Sequence, residues 1–417
     1  MRSMFKIALR NLLRYKRRTI LTSLLIVLGV TMVLLFSGLA GSFKSMMVGI
    51  ITDSTLGHLQ IHRKGYVASI DNQPLNLNMS AKGYAQLAGV LDKDPGVAAY
   101  APRIKLGAML SNYAETTNVR ITAVDPSKET VVCPALPDRL LDKSVLVAAP
   151  LVSPGEIVIP QRVAAAMGVK AGDSVVLIAT NKDGSVNGMP FMVSNLIEDV
   201  AGPSGKDAYL HIEDARALLR IDSAEVSEIV IRVKDFGSLD KVTDRISTQI
   251  EQFTNKQGKP AFEAHTWAKL SPFANIAGMI DLMIVTVKII MIAIVLISVL
   301  NVMLMSVFER VREIGTIAAM GTTPGKILGL FVVEGFVLGL LGAAVGSALG
   351  LAGLLAVKYA NITFSFARMD NLILRPTIDI GEFLAIAIIV LVASTLAALQ
   401  PAWKASRMEP VEALGHV

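Results

Sequence analysis

Of 417 residues, 53% are hydrophobic and 18% charged, and the mean hydropathy is +0.55, a balance that excludes an ordinary soluble globular chain. The single cysteine, Cys133, excludes an intramolecular disulfide. The net charge of +6 is not spread along the chain: residues 45–273 carry 23 Lys/Arg against 25 Asp/Glu, so the clustered cations of a duplex-binding surface are missing and no nucleic-acid partner is expected.

Residues 1–18 hold seven basic side chains and no acid. Lys6, Arg10 and Arg14 recur every four residues while Phe5, Leu9, Leu12 and Leu13 take another face. That pattern predicts an amphipathic helix in the cytoplasmic interface, with the N-terminus inside. Residues 19–43 then run for 25 positions without a charge, too long for the apolar core of a cleavable leader, and predict a first membrane span over 19–45. Helical spacing persists at Met46, Met47, Ile50 and Ile51, so this helix is expected to continue beyond the bilayer.

The segment 46–273 reads as a mixed α/β domain. Alternation predicts strands at 58–62, 118–124, 155–160, 174–180 and 228–235, with turns at 181–184 and at Asn187–Gly188. Helical spacing marks "AQLAGVLDKD", "IEDARALLRI" and "LDKVTDRISTQIEQF". A strand-rich stretch near 105–205 is expected to be an insertion in a parent α/β unit. His58 and His62 would lie about 13 Å apart on one strand face, too far to share a metal ion, and are read as surface histidines.

Three more apolar runs follow: 289–308 (20 residues), 327–357 (31, interrupted only by Glu334) and 383–403 (21). Helical pattern extends the second span back to 274, giving a helix of about 50 Å, longer than the hydrocarbon core, with its outer part as a stalk. Lys288 falls near the outer headgroups and is expected to snorkel there. Glu334 lies roughly 10 Å beyond Lys326 by the helix rise and is a candidate interhelical polar contact. Gly335, Gly339, Gly342, Gly346 and Gly350 form a small-residue stripe that lets another helix approach closely, either within the chain or across a dimer. An external loop at 358–382 and a cytoplasmic tail at 404–417 complete the order. The fold class is an α-helical membrane protein with four transmembrane helices and a large mixed α/β extracytoplasmic domain between helices 1 and 2, both termini being cytoplasmic.

Between the second and third spans, residues 308–327 read "FERVREIGTIAAMGTTPGKI". Glu309 and Glu313 are about one turn apart beside Arg310 and Arg312, Gly315 and Gly321 bracket "TIAAM", and Thr322, Thr323 and Pro324 can start the next helix. Two spans need only a few polar residues to join them, so a short amphipathic helix at 309–326 is suited to a groove on a partner.

The chemistry of an enzyme is thin. "GTTPGKI" has Gly321, Gly325 and Lys326, but only three residues separate the glycines and Ile327 stands where a magnesium-holding hydroxyl belongs; "SGKD" at 204–207 also fails as a phosphate loop. HExxH, GxSxG and CxxC are absent from the sequence, so no catalytic residue and no metal site is assigned.

The stretch "FERVREIGTIAAMGTTPGKI" resembles the ER-x-REIG-x-x-x-A-x-G signature of ABC-transporter permeases of the MacB, FtsX and lipoprotein-releasing (LolC/LolE) type. "ALRNLLRYKRRTILTSLLIVLGV" is similar to that family's opening and "QPAWKASRMEPVEAL" to its closing, while "GHLQIHRKGY" and "MGVKAGDSVVLIA" resemble its external domain. The family often has Arg just before A-x-G, where Ala318 and Ala319 leave this chain uncharged. The resemblance implies a permease of the bacterial inner membrane that pairs with a second permease subunit and with a separate ABC ATPase. ATP and magnesium would be bound by that partner and no cofactor by this chain. Residues 309–321 would be the coupling helix, with Glu309, Arg310, Arg312 and Glu313 as contacts and the long first and second helices passing motion outward. Without a fused ATPase domain the expected work is lipoprotein or lipid extraction; the alternatives are an FtsX-like signal transducer and a drug or peptide efflux permease. Membrane lipids are expected partners, and substrate contacts are assigned to no residue.

Overall fold

The computed structural model describes Arg10 and residues 16–143, 150–199, 207–221, 224–366 and 369–409. Most of the expected amphipathic helix at 1–18, the "SGK" of 204–206 and the tail from 410 onward lie outside the described residues. The chain divides into two compact units, one of Met46–Ala277 with Ser365–Leu372 and one of Met1–Ser45, Gly278–Phe364 and Ile373–Val417.

The helical unit draws on four long apolar helices: α1 (Lys16–Ile51), α8 (Phe273–Glu309), α10 (Pro324–Ala360) and α11 (Ile380–Ser406). The first two run on from this unit into the other. All are long and apolar enough to cross a bilayer. Their shared core is built from Ile26, Val30 and Leu34 of α1, Met291, Val295 and Val299 of α8, Val337 and Leu338 of α10, and Val390, Ala393 and Ala398 of α11. Large side chains such as Leu24, Met32, Ile290, Ile297, Leu349 and Ile388 remain exposed, as lipid-facing residues must be when acyl chains rather than water surround the bundle. The stretch expected as a plain external loop carries two short paired strands, β10 (Thr363–Phe366) and β11 (Met369–Ile373).

The glycine stripe of α10 packs within the chain, and it serves two partners. A Cβ at Gly335 would lie 2.4 Å from Ala398 Cβ, and one at Gly339 1.8 Å from Ser394 Oγ, both on α11. At Gly342, Gly346 and Gly350 the added atom would meet Ile26, Val30 and Leu34 of α1 at 2.4, 2.7 and 3.0 Å. Steps of four, three, four and four residues keep the five glycines on one side of α10, which meets α11 at Gly335 and Gly339 and α1 from Gly342 to Gly350.

Polar ties join the same helices. Lys288 of α8, expected near the outer headgroups, donates to Glu382 Oε1 of α11 at 2.6 Å, and Ser37 of α1 donates to the same oxygen. The carboxylate gives the ammonium a counter-charge within the bundle. Lys44 and Asp281 form a second pair at 2.6 Å.

The other unit is built on one nine-stranded sheet. Its strands are β1 (Leu59–Arg63), β2 (Val97–Ser111), β3 (Thr116–Val124), β4 (Glu156–Pro160), β5 (Ser174–Thr180), β6 (Val186–Ile197), β7 (Asp207–His211), β8 (Glu228–Val233) and β9 (Phe262–Thr266). The order is β3-β7-β4-β6-β5-β2-β8-β1-β9, and β3 also pairs with β2. That extra pairing closes six strands on themselves. Alternate residues of these strands, including Leu106, Leu110, Ile121, Ile157, Leu177, Phe191 and Leu210, fill the enclosed core. β2 is long enough to serve both parts: residues 97–103 pair with β8, and residues 103–111 pair with β3.

Asn187 and Gly188, read as turn residues, lie inside β6 opposite Ala179 and Ile178. The reversal is made one step earlier, at 181–184, where Gly184 has φ +85° and so supplies the left-handed conformation. The second core packs α2 (Ala81–Leu91) and α6 (Leu239–Ile250) on β1 and β8 through Leu87, Leu91, Val242, Ile246, Leu59 and Ile231. His58 and His62 are not surface residues. β1 is a central strand, and the two side chains are 4% and 0% exposed. His58 Nε2 lies 3.6 Å from Asp53, and His62 Nε2 lies 3.6 Å from Glu228.

Arg245 of α6 donates through Nε to Asp94 Oδ2 at 2.6 Å. This bond holds the Asp94 carboxyl below its ordinary value, against the opposing effect of burial. A depressed folded value contributes stability above the unfolded value of about 4, and that contribution is lost as pH falls through the folded one. Asp94→Asn is therefore expected to lower stability near neutral pH and to reduce the fall in stability below about pH 4. Urea unfolding at several pH values checks this; an unchanged acid slope would refute it.

Candidate functional site

The polar connector between the second and third apolar helices is built as a helix with two faces. α8 ends at Glu309, Arg310 leaves helical geometry at φ −113° and ψ 16°, and α9 (Val311–Ala319) begins at once. Its end is set by Gly321 at φ +88°, a left-handed position that a side chain rarely adopts. Thr323 then turns extended and Pro324 opens α10 in its first turn.

One face of α9 is buried. Val311, Ile314 and Gly315 turn inward, and Ile314 joins Val307, Ile327, Phe331, Ala402 and Ala405 in a small core at this end of the helical unit. The other face carries Arg312, Glu313, Thr316, Ala319 and Met320, all exposed. Met320 is 73% exposed, unusual for a methionine beside an apolar core. Ala318 is partly buried against that core, whereas Ala319 faces outward.

The charged residues of the motif divide between these faces. Glu309, Arg312 and Glu313 are exposed. Arg310 points inward: at 5% exposure its Nη1 donates to Glu334 Oε2 of α10 at 3.4 Å, while its Nε donates to Glu313 Oε2 at 3.2 Å. Its guanidinium carbon also lies 5.5 Å from the centre of the Phe331 ring. Glu334 is 1% exposed. The lone acid of the third apolar run is thus the anchor of the connector, fixing where α9 starts relative to α10. Sequence spacing shows both charges but does not pair them, because they are 24 positions apart.

Among the described residues, no group of three or more His, Cys, Asp or Glu side chains could hold a metal ion. The buried charges of the sheet domain are structural. Burial would raise the Glu228 carboxyl, but Lys105, His62 and Arg103 hold it well below its usual value. Burial, reinforced by Glu129, pushes the Cys133 thiol up to about 12, which leaves it an unreactive neutral group.

Comparison with known proteins adds the family. The sequence model of the MacB-like periplasmic core domain matches residues 19–249, and that of the FtsX-like permease C-terminal region matches residues 285–410. The lipoprotein-releasing system transmembrane protein LolC of Neisseria meningitidis is 24% identical over 414 residues, covering 94% of this chain and 92% of that protein. The macrolide export ATP-binding/permease protein MacB of Nitrobacter winogradskyi is 27% identical over 242 residues, 55% of this chain, and the chain spans only 34% of that relative. The pyoverdine export ATP-binding/permease protein PvdT of Pseudomonas syringae is 29% identical over 237 residues, with the same shares of 55% and 34%. The crystal structure of the periplasmic region of MacB from Actinobacillus actinomycetemcomitans covers 54% of this chain and 95% of that one, at 13% identity and a TM-score of 0.33. With one family model spanning more than half its length, four membrane helices and a mixed α/β domain after the first, this chain belongs to the ABC-transporter permeases of the MacB, FtsX and lipoprotein-releasing type.

Proposed function

We propose that the chain is the permease subunit of an ABC transporter that extracts a lipoprotein or lipid from the outer leaflet of the bacterial inner membrane, driven by a separate ATPase that binds the ATP and magnesium. The observation that carries this reading is the end-to-end alignment with LolC, 94% of this chain and 92% of that protein, where MacB and PvdT align over 55% of the chain. The connector helix α9 is the docking element; a cytoplasmic position for it is supported by the basic N-terminal segment two spans earlier. Its exposed face, Arg312, Glu313, Thr316 and Met320, meets the ATPase, and Arg310 positions it from behind. The complex holds two permease chains. The names of MacB and PvdT favour a second reading, export of a soluble amphiphile.

Arg312→Glu and Met320→Asp change only the exposed face of α9. Each is expected to weaken ATPase co-purification at least about tenfold, the cost of one disrupted interface anchor, while membrane insertion is retained. Unchanged recovery of the ATPase with both variants would remove α9 from the docking role. Native mass spectrometry of the detergent-extracted, nucleotide-free complex is expected to show a bound diacyl or triacyl species. A small soluble amphiphile in its place would select the export reading, and no bound species in repeated preparations would favour a signal transducer.

A further inference from the structure

A helix leaves its last four carbonyls without intrahelical donors, and a glycine just beyond them commonly marks the chain's exit from the helix. The outer end of α1 looks like such an exit in sequence, "TDSTLG". Its final turn, Thr52–Leu56, widens to a π-helix, and Gly57 follows at φ +66°.

In the sheet domain the carbonyls from Thr52 to Leu56 each meet a donor, Leu56 O accepting from Gln60 Nε2 at 2.7 Å. Arg103 Nη1 of β2 donates to Thr55 O at 2.7 Å, and Arg139 Nη1 donates to Ser54 O at 3.3 Å. The backbone N–H of Ala135 donates to Asp53 O at 2.9 Å, and the Cys133 thiol lies 3.9 Å from Thr52 O. The Asp53 carboxylate accepts from Arg232 Nη1 of β8 at 2.6 Å. These cations are themselves fixed. Arg103, 1% exposed, donates through Nε to Glu129 at 3.0 Å and through Nη1 to Glu228 at 3.2 Å, while Arg139 Nη2 donates to Glu198 O at 2.7 Å. Gly57 packs its backbone closely on β8, where a Cβ would lie 2.2 Å from Val230 Cγ1. Guanidinium groups on the negative end of a helix dipole are favourable, and buried, charge-assisted bonds of this kind are the stronger ones.

We propose that Arg103, Arg139 and Arg232 form a rigid socket for the C-terminal end of α1, so that residues 46–57 and strands β2 and β8 move as one body with no hinge at 52–57. The three arginines are positioning residues for the transmission of helix motion into the sheet domain. That role rests on the permease reading above; the socket itself does not.

Hydrogen exchange on the full chain in detergent, without ATPase or nucleotide, tests the socket independently of that reading. In the wild type, amides of residues 53–57 are expected to exchange as slowly as those of β8. Arg139→Gln is expected to accelerate 53–57 by about tenfold or more, the usual effect of losing a hydrogen bond to a charged group, while β5 and β6 stay protected. Should Arg139→Gln also loosen β5 and β6, Asp53→Asn at the half-exposed Arg232 pair supplies the same measurement with less risk to the fold. Wild-type exchange at 53–57 about a hundredfold faster than β8, or acceleration below about twofold in the variant that keeps its fold, overturns the proposal.

Discussion

Glu334→Leu is expected to lower the stability of the helical unit by about 3–5 kcal/mol, because it strands the Arg310 guanidinium at a buried site. The magnitude follows from burial: the two side chains are 1% and 6% exposed, so neither water nor salt screens the pair as it would at a surface. Arg310 keeps its bond to Glu313, but that carboxylate is 44% exposed and a poorer substitute. Glu334→Gln preserves a hydrogen-bond acceptor and is expected to fall between wild type and Glu334→Leu. The double variant Arg310→Met with Glu334→Leu removes both charges and is expected to recover most of the loss, as apolar replacement of buried ion pairs usually does. Thermal unfolding of the detergent-purified chain measures all three. Equal stability of Glu334→Leu and the double variant would show that the pair does not act as a unit. The double variant also separates two roles: if its stability recovers but ATPase co-purification does not, Arg310 orients α9 for docking rather than merely holding the bundle together.

The second large effect is expected at Gly339. An added Cβ would sit 1.8 Å from Ser394 Oγ and 2.8 Å from Ser394 Cβ, with Leu391 Cα at 3.6 Å. The hydroxyl can rotate away, but the Cβ moves only with the α11 backbone. Gly339→Ala is therefore expected to cost about 1–3 kcal/mol through overpacking, and Gly339→Leu to separate α10 from α11 and prevent accumulation of the folded chain. Ser394→Gly in the Gly339→Ala background removes the obstructing atoms and is expected to restore stability. Gly325, with open space around it in the first turn of α10, provides the control: Gly325→Ala is expected to be neutral or to stabilise by up to about 1 kcal/mol. If Gly339→Ala matches Gly325→Ala in thermal unfolding, the close approach of α10 and α11 is not required for stability.

Much of the architecture was legible because it depends on length and period. An uninterrupted apolar run of 20 or more residues has few stable fates besides a membrane helix, the strand at 118–124 alternates because it presents one face to an enclosed core, and 174–180 is a short β-branched apolar run bounded by turn residues. β2 was missed for a related reason. Its two halves have different neighbours, so "VAAYAPRIKLGAMLS" changes burial pattern midway and alternates only over its second half. Asn187–Gly188 carried a local turn signal that pairing with β5 overrode. His58 and His62 look polar and solvent-bound in sequence, yet they sit on the face of β1 opposite α2 and α6, where Asp53 and Phe236 cover His58 and Tyr66 and Glu228 cover His62.

The candidate site divides the same way. Composition and spacing alone establish that a short amphipathic helix with mixed charges joins two apolar helices, since those properties reside in neighbouring residues. Which of its charges turns inward is decided only by tertiary structure: Glu309, Arg310, Arg312 and Glu313 are equivalent by pattern, and Arg310 is singled out by a carboxylate 24 positions away. Lys288 finds Glu382 across 94 positions, and the glycine stripe is shared between α1 and α11, each meeting it at a different level of α10. The sequence by itself determined the number of membrane helices, the class of the domain after the first and the amphipathic connector, because the hydrophobic effect acts on runs and periods. Tertiary structure alone decided the partners of each buried charge and each glycine, because a buried charge requires a specific counter-charge and a glycine only records that something else must come close.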